Sequence, residues 1–133
     1  MTCFLSTVVV GLAIELVRLD DIRRDLAQRG IAWRDTVFTA TERETLFERS
    51  DAAPGFAARL AAKVATLTAL GKPAGAQLSD VEIVREPSGA PSLRLHGLAR
   101  AAADRLGARS TQVTLTHSQA HAMAVVLLES ESP

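Results

Sequence analysis

The sequence predicts an α+β fold in which an antiparallel sheet packs on one long helix. Three observations carry that prediction. A β-branched strand opens the chain, a block of helical segments follows it, and the second half alternates apolar and polar residues as short antiparallel strands do. Among the helical segments, the alanine- and leucine-rich stretch Phe56 to Leu70 is the longest. A length of 133 residues suits a single domain, residues 1–133, and is enough to bury a core without staples.

Each element has a local cause. Thr7 to Val10 is compact and β-branched, and the apolar run continues through Gly11 to Val17, which reads as a buried strand. Asp20 or Asp21 can cap the helix that follows, which carries Arg23, Arg24 and Arg29 and stops at Gly30. Thr39 to Arg49 is a second short helix. Thr39 and Glu42 have capping-box spacing, so each side chain can satisfy a backbone N–H of the other residue. Ser50 to Gly55 is a loop containing Pro54, after which the long helix runs to Leu70 and ends at Gly71. Its alanines permit close packing. Gly71 to Gly75 is a glycine-proline loop. Asp80 to Arg85 and Ser92 to Leu95 alternate as strands around the turn Pro87-Ser88-Gly89. Leu98 to Leu106 is a helix closed by Gly107, and two strands, Thr111 to Thr116 and Ala122 to Leu128, flank a turn from His117 to His121. No internal repeat is present.

Composition excludes several classes. Lysine plus arginine, 15, equals aspartate plus glutamate, 15, so no global basic field points to nucleic acid. No lysine or arginine precedes Arg18, and Glu15 interrupts the opening apolar run, which argues against a signal peptide and against a membrane helix. A cytoplasmic protein is expected. The single Cys3 has no internal disulfide partner, and its place near the start suits a small buried or frayed residue better than a nucleophile.

Three clusters carry chemistry. Glu15 is a carboxylate in an apolar strand, either a rim residue facing outward or a metal ligand or general base. Thr116-His117-Ser118 places a histidine beside hydroxyls at a strand end, where it can serve as an acid–base group near neutral pH or as a hydrogen-bonded structural residue. His121 reads as surface or structural and His96 as a loop residue. Arg59 and Lys63 are four apart on one helix and share a face, which is either solvated or holds phosphates near the glycine-rich loop. No P-loop, dinucleotide fingerprint or cysteine-based zinc motif occurs.

Taken in order, Gly11-Leu-Ala-Ile-Glu-Leu-Val17, Phe38-Thr39 with Glu42, Arg59-Leu-Ala-Ala-Lys63, Ser88-Gly-Ala-Pro91-Ser-Leu-Arg-Leu-His-Gly97 and Thr116-His-Ser118 before a final apolar strand resemble the holo-acyl-carrier-protein synthase family. The resemblance covers nearly the whole chain. It implies transfer of 4′-phosphopantetheine from coenzyme A to a serine of an acyl carrier protein, with magnesium, in a homotrimer whose sites lie between subunits. It further implies that Arg59, Lys63 and Ser118 face phosphates or coenzyme A, that His117 is catalytic, and that Glu15 stands at a magnesium ligand. Arg18, Arg23 and Arg24 would meet the acidic carrier.

The chain also departs from the family. Glu15 replaces an aspartate ligand; Val64 replaces the glutamate that is the second magnesium ligand; Thr68 replaces a lysine that faces the phosphates; and Asp21 replaces a docking arginine. Valine has no oxygen to offer a hard cation. Magnesium is therefore expected to bind weakly at Glu15 if at all. These departures lead to the expectation of a repurposed protein acting on a pantetheine-linked acyl substrate, with His117 and Glu15 as an acid–base pair for a step such as dehydration. The alternatives are a weak but genuine 4′-phosphopantetheinyl transferase and a noncatalytic carrier-protein-binding relative.

Overall fold

The β-branched start of the chain forms the long strand β1 (Ser6–Arg18), which pairs antiparallel with β5 (His121–Ser132), the register shifting between Val9 and Gly11. The computed structural model describes residues 6–47 and 51–132. Cys3, Arg49 and Ser50, which the sequence reading used, lie outside the described residues.

Four helices follow β1 where the sequence suggests three. The helix α1 (Leu19–Gln28) ends two residues before Gly30, but Gly30, at φ 69°, bends the chain into a further helix, α2 (Gly30–Val37). Tertiary contact explains the resumption. Trp33 in the middle of α2 meets Phe38 edge-on at 6.3 Å, and Phe38 packs on Phe56 with ring centroids 4.7 Å apart. Asp20 and Asp21 lie within the first turn of α1 rather than capping it. Instead the N–H of Leu19 donates to the Ala120 carbonyl at 2.9 Å, tying the start of α1 to the turn that precedes β5.

The capping box forms as its spacing predicts. The Thr39 N–H donates to Glu42 Oε1 at 2.9 Å, and the Glu42 N–H donates to Thr39 Oγ1 at 3.3 Å, opening α3 (Ala40–Phe47). The long helix α4 (Ala53–Ala69) starts three residues before the expected Phe56, because proline fits the first turn, where its missing N–H costs nothing. A short 3-10 turn (Leu78–Asp80) leads into β2 (Val81–Arg85), which pairs antiparallel with β3 (Pro91–Leu95). Then come α5 (Gly97–Leu106), closed by Gly107 at φ 73°, and β4 (Ser110–His117).

The strands make two sheets: a three-stranded one in the order β1-β5-β4, and the β2-β3 pair. The α+β class and the antiparallel pairing agree with expectation. The alanines of α4 explain how the helix lies on the larger sheet. Ala61, Ala62 and Ala65 are fully buried against Ala13, Ala124 and Val126 of β1 and β5. At the far end a Cβ on Gly11 would stand 2.4 Å from the Ala69 carbonyl oxygen, so only glycine fits there. The other face of this sheet is bare: Leu12, Ile14 and Leu16 are 61%, 62% and 58% exposed. No helix among the described residues is long and apolar enough to cross a membrane.

Candidate active site

Three elements meet at one end of α4. The tie from Leu19 to Ala120 brings the β4–β5 turn against α1, and α4 begins beside both. The turn is built by Ser118. Its backbone N–H donates to the His121 carbonyl at 2.8 Å, and its Oγ accepts the N–H groups of Ala120 and His121 at 3.2 and 3.1 Å. The Ser118 hydroxyl thus shapes the turn, as well as lining the space beside it.

His117, at the end of β4, is exposed and forms the shared wall of two clefts. One, about 470 Å³, is lined by Arg23, Asp51, Pro54, His117 and Ser118. The other, about 130 Å³, is lined by Pro54, Gly55, Arg59, Arg85, Thr116 and His117. Arg59 lies at its floor, only 4% exposed, with Nη1 toward the Gly55 carbonyl at 3.5 Å. Arg85 Nη1 donates to the Gly89 carbonyl at 2.7 Å, which holds this guanidinium at the β2–β3 turn. Asp51 accepts from Arg23 Nη2 at 3.2 Å and from the Ala53 N–H at 3.2 Å. The Ala53 N–H and the Arg23 guanidinium hold its carboxyl below the usual aspartate range. A separate cavity of about 350 Å³, lined by Arg94, Arg100, Asp104 and Arg109, has no histidine or hydroxyl beyond Thr111 in its wall and offers no comparable acid–base group.

The expected partners of His117 need correction. Glu15 does leave β1 on the helix-facing side, half-buried between Ala13 and Val17. But Glu15 pairs with Ala124, which pairs with Leu115, and His117 pairs with Ala122. The whole of β5 stands between them, a separation of roughly 10 Å at the strand spacing of a sheet. Within one chain they form no acid–base pair, and Glu15 does not line either cleft beside His117.

Lys63 is corrected too. One turn beyond Arg59, its ammonium is fully buried, 2.7 Å from Glu42 Oε1, and donates to the carbonyls of Leu78 and Val81. Burial pushes its pKa down from the ordinary lysine value, while Glu42 works in the opposite direction. An ammonium so enclosed binds the interior together and does not face a phosphate in the cleft. The expected docking arginines are partly neutralised. Arg23 pairs with Asp20 at 3.5 Å as well as with Asp51, and Arg24 pairs with Asp21 at 3.2 Å, which leaves Arg18 exposed at the end of β1. Arg85, Asp51 and Pro54 are the site residues that sequence reasoning missed. No local signal marks them, since only the docking of β2 and α1 on α4 brings them together.

The donor set for a magnesium ion is thin. Leu60, Val64 and Thr68 run along the less buried side of α4, and Val64 supplies only hydrocarbon. Among the described residues no group of three or more His, Cys, Asp or Glu side chains could hold a metal ion. The described residues of one chain do not fit a two-carboxylate magnesium site.

Residues 11–126 match the 4′-phosphopantetheinyl transferase superfamily. The chain is 42% identical to a holo-[acyl-carrier-protein] synthase of Anaeromyxobacter sp. (strain K), covering 94% of this chain and 99% of that one. It is 35% identical to the acyl carrier protein synthase of Mycobacterium tuberculosis, with a TM-score of 0.67 over 92% of this chain and 99% of the other. A holo-(acyl-carrier-protein) synthase of Bacillus anthracis in complex with CoA (3′,5′-ADP) is similar at 25% identity and a TM-score of 0.76, over 92% and 97% of the two chains. These likenesses overturn the expected repurposing toward acyl-thioester dehydration. Relatives this similar, aligned almost end to end, are named as synthases of the holo carrier protein.

Proposed function

The chain belongs to the 4′-phosphopantetheinyl transferase superfamily, and on that premise we propose that it moves the 4′-phosphopantetheine arm of coenzyme A onto a serine of an acyl carrier protein. In this reading the serine oxygen bonds to the phosphorus that carries the pantetheine arm. The pyrophosphate bond breaks, and 3′,5′-ADP leaves with the electron pair. The observation that carries the reading is the end of α4, where a histidine and two guanidinium groups line one cleft in a chain aligned with such synthases over nearly its full length.

His117 is exposed at that wall and can take the proton of the serine hydroxyl. Arg59 and Arg85 face the charge that develops on the phosphate oxygens, where a guanidinium fork can bond two oxygens at once. Magnesium, where a relative holds it, supplies charge neutralisation. The described donor set here does not fit it.

The carrier would meet the junction of β1 and α1 at Arg18, because Arg23 and Arg24 already answer nearby aspartates. On the same footing the protein assembles as a homotrimer, burying the stripe of Leu12, Ile14 and Leu16. Light scattering tests this directly, and Ile14→Glu is expected to shift the mass toward that of one chain.

The test of the transfer is intact mass. An apo carrier protein incubated with coenzyme A and this protein gains the phosphopantetheine mass, and His117→Ala slows the gain by about 10²-fold or more. No gain, with or without magnesium, on a carrier that a competent transferase does modify would overturn the reading.

A further inference from the structure

We infer that the cavity of about 350 Å³ between β3, α5 and β4 is a second binding site, fitted to a small phosphate monoester with an apolar body. The inference is independent of the transfer reading above, because the cavity lies away from His117. Thr111 in its wall and His117 stand at opposite ends of β4, roughly 20 Å apart along an extended strand.

Local structure brings the cations together. Arg94 on β3, Arg100 on α5 and Arg109, just before β4, all line the cavity. Gly107, at φ 73°, closes α5, and the Ala108 N–H donates back to the Ala103 carbonyl at 3.0 Å. The Arg109 N–H then donates to the Glu129 carbonyl at 2.7 Å. The chain leaving α5 is thus pinned to β5, which fixes Arg109 at the cavity that Arg100 also borders.

Charge selects the ligand. Among the described residues of the lining, three guanidinium groups stand with one carboxylate, Asp104. Asp104 accepts from Arg100 Nε at 3.4 Å, an exposed contact that engages one nitrogen of the fork. Arg94 lies across the ladder from Glu82, whose carboxylate already meets Thr39 and His96. Arg109 makes no ion pair with a described residue. The lining therefore carries surplus positive charge in a chain whose net charge is zero, and such a patch draws anions. A phosphate monoester, at about −1.5 to −2 near neutral pH, answers that surplus better than a single carboxylate does. Guanidinium forks also bond phosphate oxygens two at a time.

The hydrocarbon in the lining selects the rest of the ligand. Leu93, Leu95 and Ala108 pack against the main core, and Ala103 is buried within it. An apolar group laid on them leaves water while its phosphate stays among the arginines. The volume is near the lower end of the ~300–1,000 Å³ of small-molecule sites, which suits a single ring or a short chain.

Titration of phenyl phosphate into the full nitrogen-15-labelled chain, followed by amide shifts, tests this. Saturable binding is expected, with a dissociation constant below about 1 mM and the largest shifts at Arg100, Arg109 and Thr111. Inorganic phosphate, without the ring, and benzoate, with less charge, should each bind about tenfold more weakly. Arg100 and Arg109 are exposed, so replacing both by Gln retains the fold, as a circular dichroism melt will record. That double variant should bind phenyl phosphate tenfold or more weakly, having lost charge-assisted contacts. Coenzyme A also carries a phosphate monoester, and it should bind the double variant as tightly as the wild type. Weaker binding of coenzyme A there would give the cavity to the donor and overturn a separate ligand. Shifts confined to the surroundings of His117, no saturation, benzoate binding as tightly as phenyl phosphate, or a double variant that binds like the wild type would each overturn the inference and leave the transfer reading untouched.

Discussion

Arg59 and Lys63 stand one turn apart on α4, share a face and carry the same charge, yet they belong to different regions of the molecule. Lys63 ends in a dry network. Its ammonium meets Glu42 at 2.7 Å, and Glu42 Oε2 accepts the Ile83 N–H at 3.1 Å. Thr39 Oγ1 donates to Glu82 Oε2 at 2.9 Å, and Glu82 lies 3.1 Å from His96. This chain of polar contacts ties α3, α4, β2 and the start of α5 together. Arg59, by contrast, lies under an open cleft beside His117. Helical spacing establishes that two side chains share a face, but the elements packed on that face decide whether each one holds the fold or meets a ligand.

The largest expected effect breaks the buried end. Glu42→Gln leaves the Lys63 ammonium enclosed without its counter-charge and should cost about 3–5 kcal/mol in urea unfolding. Adding Lys63→Met should recover much of that loss, since no ammonium is then left buried without a counter-charge. A single-variant cost below about 1 kcal/mol would mean the network does not anchor this region.

The next effect belongs to the open end. His117→Ala should slow carrier modification by about 10²-fold or more while changing stability by less than about 0.5 kcal/mol, because the side chain is exposed. Rate and stability falling together would place His117 among the structural residues instead.

Acid gives a smaller effect that separates the regions by pH. Burial alone would raise the carboxyl of Glu82. The hydrogen bonds from His96 and Thr39, with the charges of His96 and Arg94, outweigh it and hold the folded value below the ordinary 4.5. A carboxyl lowered on folding contributes stability above its unfolded value, and that contribution is lost as pH falls through the folded one. Stability measured by denaturant should therefore decline below about pH 4.5, and Glu82→Gln should flatten that limb at a cost of about 1.5 kcal/mol at neutral pH. The smallest effect is on the surface: Arg24→Gln, which breaks an exposed pair with Asp21, should move stability by less than about 0.5 kcal/mol.

The same contrast explains what the sequence made legible. The capping box of Thr39 and Glu42, the alanine-rich α4 and the β2–β3 turn at Gly89 are local signals, and each formed, α4 with its start three residues earlier than read. Gly30 misled because glycine marks a stop only where the chain fails to resume, and resumption here depends on Trp33 and Phe38 reaching Phe56, far along the sequence. Lys63 misled for a similar reason. Its partner is 21 residues away, and no spacing rule announces a counter-ion at that distance. His117 was visible because a histidine between hydroxyls at a strand end is unusual in itself. Arg85 was not, since nothing near it in the chain says that β2 ends over the first turns of α4.

The close approach of Gly11 to Ala69 makes α4 a lever. Its fulcrum is the backbone contact at one end of the larger sheet, where even a methyl group would stand 2.4 Å from a carbonyl oxygen. Arg59 lies ten residues back along the helix, roughly 15 Å from that contact at 1.5 Å per residue. A wedge that tilted the helix by a few degrees would swing Arg59 by about 1 Å, enough in other enzymes to cost two orders of magnitude in rate. A single carbon added at the silent end of the molecule would thus be felt at the working end.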